Sequence, residues 1–184
     1  MSSIVFTFGS FNPPTKSHRK LFEKINAISK SKNIDSMILP CSVQDNYTNP
    51  LGYYDKINFM KQMFPDILHS YESPDIYISN IVKACVYVYN KGYRNIFYVC
   101  DPDRYSHINF ILNSYNNRRT NYGFYKFEKM EFIKTGVIEY TSEDSIKYVR
   151  GKDYNKFEKT IPKDFDGRVL LQKIRSGLSK QNEF

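Results

Sequence analysis

Residues 9–18, GSFNPPTKSH, gather the side chains best suited to handle a phosphate. Gly9 permits close backbone approach to a ligand, and Pro13-Pro14 stiffens the segment. Thr15, Ser17 and His18 close it with two hydroxyls and an imidazole. If a helix starts here, its unpaired amides and positive dipole end attract an anion. A histidine in the first helical turn can then donate a hydrogen bond to a phosphate oxygen as charge builds on it, without acting as a nucleophile. On spacing alone, a lone first-turn histidine is more often structural or simply exposed, so that reading stays open.

The flanking elements would position such a loop. Residues 4–8 (IVFTF) form a short apolar, β-branched and aromatic run, the pattern of a buried strand. Beyond the loop, Leu21, Phe22, Ile25 and Ile28 recur at helical spacing, with Ser17 placed as N-cap. Residues 36–40 (SMILP) predict a second strand, and residues 55–64 a helix stopped by Pro65. Ile76 to Ile78 predicts a short third strand, and 80–90 an amphipathic helix ended at Gly92. Residues 94–100 (RNIFYVC) are the most strand-like run, followed by a breaker, Asp101-Pro102-Asp103, and a helix over 106–114. Lys129 to Lys134 alternates apolar and charged residues as a further strand would. After Gly136 the pattern turns helical, with Thr141 or Ser142 as N-cap, a break near Gly151, and a last helix from Val169.

Strands alternating with helices of this length imply crossover connections: an α/β, Rossmann-like, doubly wound and mainly parallel sheet with helices on both faces and a helical C-terminal extension. The expected division is an α/β domain over 1–165 with residues 166–184 as a helix and tail packed on or extending from it. Ligands in such folds bind at the carboxyl ends of strands, which singles out the loops after Phe8 and after Cys100.

Composition narrows the class. The chain has 184 residues, 41% hydrophobic and 25% charged, which excludes collagen-like and disordered classes. No run is long enough for a membrane span, and the first residues lack a basic and apolar leader pattern, so a soluble, cytoplasmic protein is expected. Three cysteines, an odd number set in or beside apolar runs, argue against a disulfide framework. Of the net charge of +8, residues 1–33 carry +5, from six basic side chains against Glu23 alone. That field favours a polyanion, though it equally suits a solvated helix face. His69 and His107 form no metal-ligand pair and read as surface residues, and no metal site is expected from the side chains.

Phe8 to His18, FGSFNPPTKSH, followed by a basic amphipathic helix, resembles the signature of the nucleotidyltransferase superfamily, whose hallmark is His-x-Gly-His or Thr-x-Gly-His. The form with Asn-Pro-Pro-Thr and Gly123 to Phe127 (GFYKF) is most similar to nucleotidyltransferase-like proteins of tailed bacteriophages. The resemblance also rests on Asn49-Pro50-Leu51, Asp103-Arg104, Ser114 to Asn116, and Asp153-Tyr154 through Pro162. It implies transfer of an adenylyl or cytidylyl group from ATP or CTP to a phosphate-bearing acceptor with release of pyrophosphate, typically with Mg²⁺. Carried over by position, Thr15 and His18 are the catalytic, phosphate-contacting pair. Phe8, Gly9, Phe11, Asn12, Ser17, Asp103, Arg104, Thr141 and Lys147 fall in the nucleotide-binding places.

Three positions depart from the superfamily pattern. Its glycine is Ser17 here, and its Gly-Ser-Asp-Arg is Asp101-Pro102-Asp103-Arg104. Its late Ser-x-Ser/Thr-x-x-Arg falls on Thr141, Glu143 and Ile146, so the arginine is missing from register, and Lys147 or Arg150 would serve only after a local shift. Loss of one charge-assisted phosphate contact costs about 2–4 kcal/mol in the transition state. Two readings follow: a transferase, active or impaired, and an inactive descendant with a viral structural or protein-interaction role, located in the host cytoplasm or the virion. Direct nucleic-acid binding, which the 16 tyrosines and 14 phenylalanines would also suit, is a third, less favoured reading.

Overall fold

The computed structural model describes residues 2–68 and 76–179. Its elements in chain order are β1 (Ser3–Gly9), α1 (His18–Lys32), β2 (Asp35–Pro40), α2 (Tyr53–Met63), α3 (Pro65–Leu68), α4 (Ile81–Asn90), β3 (Asn95–Cys100), α5 (Tyr105–Tyr115), β4 (Lys129–Lys134), α6 (Ser142–Arg150), α7 (Tyr154–Glu158) and α8 (Arg168–Leu178). The strands stand in the order β2-β1-β3-β4, with β1 parallel to β3 and β3 parallel to β4. Strand order therefore reverses between β1 and β3, the switch point of a doubly wound sheet. Right-handed crossovers leaving β1 and entering β3 in opposite directions along the sheet require α1 and α4 on opposite faces.

The apolar runs read from the sequence are the buried strands. Ile4 to Phe6 and Ile96 to Cys100 are buried almost completely, whereas β4, at the sheet edge, is only half-buried and carries lysines at both ends. One expected strand is absent. Residues 76–78 are irregular, since only Ile78 is buried while Ile76 and Tyr77 are exposed. This stretch leads into Asn80, whose side chain accepts from the Lys83 N–H and caps α4. Nor does Pro65 only end a helix: it opens α3, its missing N–H costing nothing at a first helical position.

The described residues divide into two compact units, each assembled from three chain segments. The first comprises residues 2–8, 20–39 and 76–137 and holds the sheet, most of α1, α4 and α5. Within it, the Tyr98 hydroxyl donates to the Phe8 carbonyl (3.1 Å) and accepts from the Phe8 N–H (3.2 Å), so a β3 side chain satisfies the last backbone groups of β1. The second comprises residues 9–19, 40–68 and 138–179 and holds the loop after β1, α2, α3 and α6 to α8. Its core includes Leu51, Met60, Phe64, Phe157, Leu170 and Ile174. No helix of the described residues is long and apolar enough to cross a membrane. Cys41, Cys85 and Cys100 are all buried.

Candidate functional site

The second unit contains the loop singled out by the sequence. Gly9 is required there by its own neighbour. Phe11 adopts a left-handed backbone (φ 45°) and folds its ring back so that a Cβ on Gly9 would lie 2.8 Å from it. The space expected to admit a ligand above Gly9 is thus filled by the Phe11 ring. That ring also meets the His18 imidazole edge-on, with centroids 5.1 Å apart and planes at 89°.

Asn12, fully buried, grips one peptide group in each direction: Nδ2 donates to the Leu51 carbonyl and Oδ1 accepts from the Leu51 N–H, both at 2.9 Å. It fastens the loop to residues 45–51, whose own turn closes on Asp45. Burial works against that carboxylate, but N–H and side-chain donors from Tyr47, Thr48 and Asn49 hold its pKa far below the usual range. Lys56 supports the same region from α2. Its Nζ donates to the Cys41 carbonyl at 2.5 Å, and the Cys41 N–H donates to the Gly9 carbonyl at 2.8 Å. Burial lowers the Lys56 pKa to about 8. The sequence carried the signal for this lysine, which shares a helical stripe with Met60 and Met63.

His18 begins α1, a helix with no acid in its first turn. The Thr15 N–H donates to His18 Nδ1 at 2.8 Å. An amide donor there requires a lone pair on Nδ1, so the neutral ring carries its proton on Nε2. Burial reinforces this by lowering the histidine pKa to about 4. Arg19, next in sequence, pairs with Asp66.

Thr15 and Ser17 face the segment before α6. The fully buried Thr15 hydroxyl donates to the Tyr140 carbonyl (2.7 Å), and Ser17 Oγ accepts from the Tyr140 N–H (3.0 Å). Together the two hydroxyls bracket a single residue's backbone. The Ser142 hydroxyl donates to the Pro13 carbonyl (2.7 Å), and the Lys16 N–H to the Thr160 carbonyl (2.7 Å). Lys16 Nζ sits over the Tyr140 ring, 4.9 Å from its centre. Ser17 was expected to cap its own helix; the structure shows its hydroxyl accepting from the Tyr140 N–H. Tyr140 was not foreseen, because a partner chosen through its backbone leaves no mark on residue type.

At α6, Thr141 is the N-cap. Its hydroxyl accepts from the Asp144 N–H, and the Asp144 carboxylate accepts from the Thr141 N–H, a reciprocal capping box. A carboxylate therefore occupies the helix end where the resemblance placed Thr141 as a nucleotide-binding residue. Ile146 is buried, Lys147 is exposed, and Arg150 donates to the Tyr47 carbonyl at 2.9 Å. Phe8, Asp103 and Arg104 belong to the first unit. Phe8 is buried, its N–H donating to the Tyr98 hydroxyl, and the two loop residues are exposed before α5, with the Arg104 N–H donating to Asp101 Oδ1. His107 is exposed on α5, and His69 lies outside the described residues.

No family model and no curated protein matches this sequence. Solved structures do match its fold. A Plasmodium falciparum nicotinic acid mononucleotide adenylyltransferase complexed with NaAD superposes with a TM-score of 0.59 at 15% identity, covering 95% of each chain. The same enzyme complexed with APC gives the same TM-score, identity and coverage. A Vibrio parahaemolyticus protein assigned to the nicotinate-nucleotide adenylyltransferases gives a TM-score of 0.52 at 16% identity, over 99% of this chain and 98% of its own. The chain shares the fold of these adenylyltransferases. In this fold, the segment from Gly9 to His18 leads from β1 into the start of α1, and the neutral His18 ring carries its proton on Nε2. Among the described residues, no three potential metal ligands cluster.

Proposed function

We propose that the protein binds a nucleoside triphosphate, ATP or CTP, against His18 and transfers its nucleoside monophosphate portion to a phosphate-bearing acceptor. An acceptor phosphate oxygen attacks the α-phosphorus, the bond to the bridging oxygen of pyrophosphate breaks, and pyrophosphate leaves with its electron pair. His18 Nε2–H donates to a phosphate oxygen as charge shifts along the triphosphate; no covalent enzyme intermediate is involved. The observation that carries this reading is the 2.8 Å bond from the Thr15 N–H to His18 Nδ1, which orients the ring and assigns its proton to the other nitrogen. Thr15 therefore serves the reaction chiefly through its backbone. Mg²⁺, where it takes part, would arrive on the phosphates rather than in a protein cage.

A second reading rests on Asp144. Its carboxylate in the α6 capping box repels the β- and γ-phosphates that the missing arginine would hold. In this reading the chain keeps the fold and binds without turnover, as an interaction protein. Calorimetric titration with ATP and CTP in Mg²⁺, combined with pyrophosphate release on offering nicotinate mononucleotide and other phosphorylated acceptors, separates the two. Transfer is expected, lost about 10²–10³-fold in His18→Ala. Nucleotide binding without pyrophosphate release under every acceptor supports the second reading, and absence of binding overturns both.

A further inference from the structure

From Arg104 to Phe127 the chain has no acidic residue. This stretch lies within the first unit and is independent of His18. Residues 116–127 form a loop fixed from several sides. The Asn116 amide donates to the Phe127 carbonyl (3.1 Å) and accepts its N–H (2.8 Å). The Asn117 N–H, at a left-handed residue (φ 61°), donates to the Tyr125 carbonyl, and the Tyr125 hydroxyl donates to Leu112 on α5. Thr120 and Gly123 exchange backbone bonds at the tip, where Gly123 (φ 117°) presses so close to Val86 of α4 that a Cβ would lie 2.9 Å from it.

The frame presents Arg118, Arg119 and Lys126 to solvent together with Tyr122, 45% exposed. None of the three cations joins an ion pair among the described residues, whereas Arg19, Lys156, Arg168 and Lys173 each face a carboxylate. The helix leading into the loop adds Phe110, 72% exposed, in an open depression of about 490 Å³ lined also by Asn109 and Asn113. Unpaired cations at fixed positions attract a chain of phosphates. Exposed aromatic rings and amides on the same stretch of chain suit unstacked bases, which an acidic peptide does not offer.

We infer that residues 104–127 form a binding surface for single-stranded nucleic acid, with Arg118, Arg119 and Lys126 on the phosphates and Tyr122 stacking on a base. Fluorescence anisotropy with a labelled twelve-nucleotide oligothymidylate or oligouridylate tests it on the full chain. The slope of log affinity against log salt is expected near −2, as three phosphate contacts to a single strand give. Arg118→Ala/Arg119→Ala/Lys126→Ala should weaken binding at least tenfold and bring the slope toward zero, while leaving nucleotide titration at His18 unchanged. Tyr122→Ala should weaken binding about tenfold without changing the slope, and Tyr122→Phe should restore it. Circular dichroism of each variant should match the parent, because all four side chains are exposed. Unchanged affinity in the triple variant or in Tyr122→Ala overturns the inference. So does displacement of the oligonucleotide by polyglutamate as effectively as by unlabelled oligonucleotide, which would make the surface an interface for acidic proteins.

Discussion

At His18, the burial that lowers the pKa of the ring also makes the fold sensitive to acid. The folded ring resists protonation down to about pH 4, while the unfolded chain takes up the proton near 6.5. Between those values the unfolded state binds more protons, so stability falls as pH drops through this window. The difference amounts to roughly 3 kcal/mol, fully present above pH 6.5 and lost below about 4. Urea midpoints for the parent and His18→Gln across pH 4–7 check this: the parent should lose stability relative to the variant on acidification, and parallel curves would refute it. The motif spacing made His18 and Thr15 legible as a pair. It could not reveal that the Thr15 and Ser17 hydroxyls serve Tyr140, more than a hundred residues away, or that the Asn12 amide serves Leu51. Side chains that bond to distant backbone are chosen by the fold, and nothing in their neighbours' identities records the choice.

Elements were more legible than contacts, because periodicity and punctuation are local. Burial follows the apolar stripe of α1 and the β3 run, whereas the four inner residues of β4 are all half-buried, with no alternation. Residues 76–78 misled because three residues of strand-like type are too few to establish a face, and their neighbour Asn80 starts a helix instead. The start of α6 shows local chemistry at its clearest. Thr141 and Asp144 satisfy one another's N–H groups, a device whose removal typically costs about 1 kcal/mol. Thr141→Ala should lower the unfolding free energy by about that amount. Because the two residues form one reciprocal unit, Thr141→Ala/Asp144→Ala should cost clearly less than the two single changes added together. Chemical denaturation of the four proteins in this cycle gives the coupling, and strict additivity would show that the box does not act as a unit. Gly177 in α8 presents the opposite case. A Cβ there would lie 2.1 Å from the Pro50 carbonyl oxygen, so Gly177→Ala should destabilise by about 1–3 kcal/mol despite the better helix propensity of alanine.

Across the whole molecule, each compact unit is stitched from three separate stretches of chain, so neither corresponds to a piece that could be excised at one boundary. The C-terminal helix tests this directly. Its sequence reads as a helical extension, yet Leu170 and Ile174 are wholly buried and Gly177 abuts Pro50. Burying a leucine or isoleucine side chain contributes about 1.5–3 kcal/mol, so deleting residues 166–184 should remove at least about 3–6 kcal/mol from the second unit. Domains of this size have net stabilities of about 5–15 kcal/mol, which makes such a loss severe rather than marginal. The shortened chain should therefore unfold at much lower urea, or fail to fold cooperatively, and should lose the nucleotide response of His18 with it, since the loop from Pro13 to Ser17 is anchored on the same unit through Tyr140, Ser142 and Thr160. A urea midpoint unchanged on deleting 166–184 would show that α8 is dispensable to the unit that holds the histidine.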